Sequence, residues 1–215
     1  MTQTLKVAVI GLGNIGTAVA SNLVKSHRPV IVADRKIEKT NELAQKLGKY
    51  AQPKEIPAAI EEADIIVLAV WFDAIKEIFS TYASALQGKI IVDPSNPIAP
   101  DEKGGFKKII GENLSAGGLL SALLPKDAKL AKALGTLGVA SLAASAFQNP
   151  ACVLFYATDD TSINPALEQL IRDIGFEPVR VGDLEKSIRI EVFGDLHEFG
   201  ALGKAVTKNE AIAKL

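Results

Sequence analysis

Six residues, Gly11-Leu12-Gly13-Asn14-Ile15-Gly16, constrain this chain more than any others because of what stands on either side of them. Residues 5–10 are rich in β-branched side chains and read as a buried strand. Beyond the turn, Ile15, Val19, Leu23 and Val24 recur at helical spacing up to Lys25. A glycine turn between such a strand and such a helix is a phosphate cradle. Gly11 permits the tight turn, Gly13 lets the backbone approach a pyrophosphate, and Gly16 lets helix and strand pack closely. The helix N-terminus adds unpaired amides. With Leu12, Asn14 and Ile15 the turn is a candidate site for a nicotinamide dinucleotide.

The alternation continues. Residues 30–33 form a second apolar run ending at Asp34, and residues 37–46 have helical period. A helix is expected over 53–62, where proline is tolerated in the first turn, then a strand over 64–70 and a helix over 72–86. A strand over 89–93 ends at Pro94-Ser95-Asn96-Pro97. Strands alternating with helices predict an α/β fold, a doubly wound, mainly parallel Rossmann sheet covered on both faces. Ligands of such sheets bind beyond the carboxyl ends of the strands, so Gly11, Asp34, Val70 and residues 94–96 are expected to converge on one crevice.

The later part is less regular. Residues 97–118 read as a surface loop, a candidate flap, with a short helix at 106–110. Residues 119–124 suit a helix end, whereas periodicity leaves 128–134 open between strand and helix. Residues 153–157, 165–174 and 178–181 read as strand, helix and strand, with Gly175 as helix terminator. Leu184, Ile188, Val192, Leu196 and Phe199 then recur at helical spacing across 184–202, although Gly194 and Gly200 each weaken a helix by about 1 kcal/mol. The stripe is either docked on the domain or the interface of a homodimer. The expected organisation is a dinucleotide-binding domain over 1–138 and a small α/β extension over 139–215 packed on it.

Composition excludes several classes of partner. With 48% hydrophobic and 23% charged residues among 215, the chain can bury a substantial core. A net charge of -1 provides no electrostatic footprint for nucleic acid. No apolar run approaches the length of a membrane span, and the apolar run before Gly11 is too short for a signal peptide, so a soluble cytoplasmic protein without membrane partners is expected. Cys152, the single cysteine, lies in an apolar run and reads as a buried, inert thiol. Neither His27 nor His197 has a nucleophile or metal-ligand spacing nearby, and no metal motif stands out.

The candidate site extends past the glycine turn. Asp34, 21 residues after Gly13, ends the second strand where an adenosine ribose is read. Its carboxylate suits a free 2′-hydroxyl, while Arg35 and Lys36 suit a 2′-phosphate, so the stretch points to NAD and NADP at once. Ala69-Val70-Trp71 ends the next strand beneath the cofactor, and Trp71 is either a stacking wall or a core residue. Ser95, Asn96 and Pro97 fall near the expected nicotinamide position. No catalytic side chain is identified.

Gly11 to Gly16, Val92-Asp93-Pro94-Ser95-Asn96-Pro97, Lys132-Ala133-Leu134-Gly135-Thr136-Leu137, residues 155–160 and Ile174-Gly175-Phe176-Glu177-Pro178-Val179 together resemble the deazaflavin-dependent NADP oxidoreductase family. That family is similar in turn to the reductase domain of the six-transmembrane metalloreductases. The resemblance spans nearly the whole chain. It implies a Rossmann domain with a small C-terminal extension, a strand over 128–134, and hydride transfer between a nicotinamide and a flavin or deazaflavin as second, small-molecule redox substrate. Two positions depart from the family pattern. Asp34 replaces a small polar residue suited to NADP, and Gly135 stands where asparagine is common, which alters the acceptor pocket. Hydride transfer between two rings needs alignment and exclusion of water rather than a proton-transfer group. The alternatives are a small imine or hydroxyacid reductase and a non-catalytic dinucleotide sensor.

Overall fold

Val7–Ile10 (β1) presents Val7 and Val9 to one apolar cluster and Ala8 and Ile10 to another, and all four are buried. A strand buried on both sides requires helices on both faces of its sheet. The computed structural model describes residues 4–215 and supplies them. After β1 come α1 (Asn14–Lys25), β2 (Val30–Ala33), α2 (Ile37–Leu47), β3 (Ala51–Pro53), α3 (Ile56–Glu62), β4 (Ile65–Leu68), α4 (Phe72–Thr81) and β5 (Ile90–Asp93). A hairpin follows, β6 (Ile98–Pro100) and β7 (Phe106–Lys108), then α5 (Ala116–Ser121), β8 (Lys129–Ala133) and α6 (Val139–Ala144). The chain closes with β9 (Val153–Thr158), α7 (Asn164–Asp173), β10 (Glu177–Gly182) and α8 (Lys208–Ile212).

Among the described residues, eight strands form one sheet in the order β10-β9-β8-β5-β4-β1-β2-β3. Neighbours are parallel except β8 and β9, which run antiparallel. The fold is thus a doubly wound Rossmann sheet, mainly parallel, whose order reverses between β1 and β4. That switch point is where a crevice opens at the carboxyl ends of the strands. Leu23 of α1, Leu142 of α6 and Leu167 of α7 pack on one face, and Ile60 of α3, Ile75 of α4 and Leu120 of α5 on the other. A third cluster covers the outer face of β9 and β10 with Ile190, Leu196, Val206 and Ala211. Among the described residues, no helix is long and apolar enough to cross a membrane.

The strand at 128–134 forms as β8. Two expectations fail. The helix at 106–110 is instead strand β7, because Gly104 (φ +92°) and Gly105 (φ +76°) turn the chain back so that Phe106 pairs with Pro100 and Lys108 with Ile98. The long C-terminal helix over 184–202 is absent. Residues Leu184–Arg189 make a 3₁₀ helix and the chain then folds on itself, with Phe193 at φ +71° and the Gly200 Cα packed against the Gly194 carbonyl. The apolar period did mark burial, since Leu184 and Leu196 lie in the core, while Phe199 is exposed. Smaller shifts occur at 53–62, where Pro53 ends the edge strand β3 and Pro57 sits in the first turn of α3, and at α4, which stops at Thr81. Cys152 is half-buried, and burial followed by the Glu210 charge raises its thiol pKa above the ordinary value.

Candidate functional site

Each glycine of the turn is required for a different reason. Gly11 has φ +91°, and a Cβ there would stand 2.5 Å from the Ala69 carbonyl oxygen. At Gly16 a Cβ would overlap the Gly11 carbonyl, so α1 lies directly against the turn. At Gly13 a Cβ would meet nothing within 4 Å. Gly11 and Gly16 therefore serve the fold, whereas the missing side chain of Gly13 leaves open space. Hydrogen bonds hold the turn between its neighbours, Gly11 N–H to Ala33 O at 2.9 Å and Ala69 N–H to Ile10 O at 2.8 Å. Gly13 caps α1 without a side-chain hydrogen bond, and the first turn holds no acidic residue. An anion placed there would meet the free amides of the first turn of α1.

Asp34 follows β2 and bends toward the same turn, its Oδ2 accepting the Leu12 N–H at 2.8 Å. Oδ1 accepts the Lys36 N–H at 3.3 Å, and the Lys39 ammonium lies 3.4 Å from Oδ2. Partial burial pushes this carboxyl up, but the Leu12 and Lys36 amides and the Lys39 charge together hold it below the ordinary aspartate value. It is a carboxylate at neutral pH. Arg35 and Lys36 are exposed beside it, and Leu12 sends its side chain into the core.

A groove of about 300 Å³ runs from the turn across the sheet switch point, lined by Gly13, Asn14, Ile15, Ala69, Val70 and Trp71 on one side and by Pro94, Ser95, Asn96 and Ile98 on the other. Trp71 is 63% exposed rather than core. It also borders a second cavity of about 220 Å³ with Phe72, Asp73, Ala99, Pro100 and Ile109. The β6–β7 hairpin thus walls both spaces. Pro97 is buried and anchors the hairpin, its carbonyl accepting the Ile109 N–H at 2.9 Å. A larger cavity of about 400 Å³ lies at the opposite ends of β1, β2 and β3, between Lys6, Tyr50 and Glu62. It is remote from the carboxyl ends of the strands, where doubly wound sheets hold ligands.

Residues far along the chain support the groove. Asn96 Oδ1 accepts the Val192 N–H at 2.7 Å, and its Nδ2 donates to Gly135 O at 3.3 Å. The buried His197 donates from Nε2 to Gly135 O at 2.9 Å and accepts the Phe199 N–H on Nδ1 at 2.9 Å. Burial lowers its pKa, against the opposing pull of the Gly135 carbonyl and Glu198, so the ring is a neutral structural element. His27, with φ +61°, stacks edge-on to Tyr50 at the end of the sheet away from the groove. The sequence reading missed Lys39, Ile98 and a buried Lys132–Asp93 ion pair beneath the groove. The last had a signal, since a charged residue inside an otherwise apolar strand is rarely buried unless paired.

Comparison with known proteins agrees with this geometry. Residues 6–97 match the family model described as NADP oxidoreductase, coenzyme F420-dependent. The metalloreductase STEAP3 of Rattus norvegicus is 26% identical over 186 residues, covering 86% of this chain and 36% of that protein. The F420-dependent NADP reductase of Methanothermobacter marburgensis is 29% identical over 102 residues, 44% of this chain and 46% of that protein. The chain therefore spans less than half the length of these curated relatives. A solved structure of a hypothetical protein from Sinorhizobium meliloti is 30% identical with a TM-score of 0.80, covering 95% of this chain and 96% of that one. The glycine turn and the strands on either side of the sheet switch point thus fall within residues 6–97, the span that matches the coenzyme F420-dependent NADP oxidoreductase family model.

Proposed function

We propose that this chain is an NAD(P)-dependent oxidoreductase exchanging hydride between a nicotinamide and a flavin- or deazaflavin-type ring. The observation that carries the reading is Gly13, whose absent side chain faces open space at the mouth of the groove while Gly11 and Gly16 are packed against backbone. A turn evolved only for packing has no use for a third glycine in that place. In this reading the Gly13, Asn14, Ile15 and Gly16 backbone holds the pyrophosphate, and Asp34, Arg35 and Lys36 meet the ribose edge. Ala69, Val70, Trp71, Ser95, Asn96 and Pro97 frame the nicotinamide half.

The dinucleotide, when bound, supplies or accepts the hydride. The chain's part is to bind, orient and exclude water. Ala69, Val70 and Ile98 give the groove apolar walls, and Trp71 offers an exposed aromatic face between the groove and the adjoining cavity. The side chains lining the groove include no carboxylate, amine or imidazole. A carbonyl or imine substrate ordinarily needs a proton-transfer group, whereas a planar redox ring needs mainly alignment. This lining supports the ring as acceptor over the imine or hydroxyacid alternative.

The test is oxidation of NADPH and of NADH, followed by absorbance, against riboflavin, FMN, FAD and a deazaflavin. Turnover with at least one ring is expected. Dinucleotide binding without turnover on any of them would favour a non-catalytic sensor.

A further inference from the structure

Strand β8 carries a lysine where its neighbours are buried apolar residues. Lys132 is 3% exposed, and its register partner Asp93 on β5 is 0% exposed. The ammonium donates to Asp93 Oδ2 at 2.8 Å and to the Ser95 carbonyl at 2.5 Å, while Asp93 Oδ1 accepts the Ser95 N–H at 2.6 Å. Both backbone groups of Ser95 are therefore held by one ion pair. Helix α5 closes over the lysine stem, and a Cβ on Gly117 would come within 2.8 Å of Lys132 Cγ and 2.6 Å of Ser187 Oγ. The clamp leaves one group over. Ser95 Oγ is buried without a partner, on a residue that lines the groove beside Asn14 and Trp71. The amide of neighbouring Asn96 is already engaged by Val192 and Gly135. A buried hydroxyl lacking a partner is costly unless something completes it.

We propose that Lys132 is a positioning residue for the nicotinamide end of the dinucleotide. Through Asp93 and the Ser95 backbone it fixes the loop after β5, so that the Ser95 hydroxyl is free for the carboxamide, the polar group of that ring. The inference rests on the reading of the groove as a dinucleotide site. A geometry over-determined in this way, by a charge on a neighbouring strand, is how a supporting shell holds a binding group in place.

The test compares wild type, Ser95→Ala and Lys132→Met/Asp93→Asn. The double variant removes both charges together, which avoids stranding one of them in the core, and it retains an acceptor for the Ser95 N–H. Each protein is titrated calorimetrically with NADPH and NADH, and with ADP-ribose and 2′-phospho-ADP-ribose, which lack the nicotinamide. Both variants are expected to bind the better dinucleotide at least fivefold more weakly, to bind the nicotinamide-free fragments within twofold of wild type, and to alter the fluorescence of bound reduced nicotinamide. Unchanged dinucleotide affinity in Ser95→Ala would overturn the proposal. So would an equal loss for dinucleotides and fragments in the double variant, which would make the pair a support of the fold alone. Failure of the underlying reading looks different, because wild type would then bind none of the four ligands.

Discussion

The Asp34 carboxylate accepts the Leu12 amide hydrogen at 2.8 Å, which ties the end of β2 to the glycine turn that follows β1. The same oxygen lies 3.4 Å from the Lys39 ammonium. One carboxylate thus braces the turn and pairs with the Lys39 ammonium, and in the proposed reading it also meets the adenosine ribose.

Replacing Asp34 by serine removes that charge and frees Lys39 beside Arg35 and Lys36. The ratio of NADPH to NADH affinity is expected to rise at least about tenfold, the equivalent of one lost repulsion of ~1.4 kcal/mol. Loss of the Leu12 hydrogen bond should also cost about 1 kcal/mol of stability. Calorimetric titration and urea unfolding measure the two effects separately. An unchanged affinity ratio would mean that the carboxylate serves only the turn.

The glycines of the turn should divide by phenotype. Gly16→Ala drives a methyl group into the Gly11 carbonyl, and Gly11→Ala adds a strained backbone at φ +91° to a contact of 2.5 Å with Ala69 O. Each is expected to lose about 3 kcal/mol or more, or to fail to fold, by overpacking and left-handed strain. Denaturant midpoints are the measure. Wild-type stability in either variant would refute the packing assigned to the turn.

His197 gives the fold a pH dependence whose sign is fixed by its burial. Its folded pKa lies below the ordinary value of 6.5. Above that value both folded and unfolded states hold the ring neutral and its contribution is complete. As pH falls below 6.5 the unfolded state takes up the proton first, so stability declines toward the lower folded pKa. Unfolding midpoints between pH 7.5 and 5.5 should fall for wild type and fall less steeply for His197→Asn, which is less stable throughout. Parallel curves would contradict the assignment. Hydride turnover per folded molecule should survive in both His27→Ala and His197→Asn, since neither ring lines the groove.

Trp71→Ala should separate acceptor from fold. With the side chain 63% exposed, the change is expected to alter stability by no more than about 0.5 kcal/mol. Loss of a stacking face should lower kcat/KM for a planar acceptor about tenfold or less. Steady-state kinetics with saturating dinucleotide test this, and an unaffected acceptor would move the ring away from Trp71.

What could be read from the sequence was what depends on local spacing. The strand, turn and helix around Gly11 to Gly16 occupy consecutive residues, and the doubly wound alternation up to Asp93 follows the same apolar periods. The β6–β7 hairpin was missed because its evidence is a pair of backbone conformations at Gly104 and Gly105, which composition signals only as a loop. The segment after Leu184 kept the spacing of a helix while Phe193, Gly194 and Gly200 folded it into turns, so the period marked burial and misled on conformation. Asp93 and Lys132 meet across 39 positions of sequence, and no local pattern links them. Arg35, Lys36 and Asp34 were legible as a cluster, but the division of the carboxylate between Leu12 and Lys39 required the fold.

The most direct measurement is calorimetric titration of wild type and Gly13→Val with NADPH and NADH, each protein first checked for folding by its unfolding midpoint. A valine at this position would enter open space, so the variant should fold as wild type does. Wild type is expected to bind at least one dinucleotide with one-to-one stoichiometry, and the folded variant to lose at least about a hundredfold in affinity, the equivalent of ~2.8 kcal/mol. Equal affinity in the two folded proteins would contradict a pyrophosphate at the glycine turn.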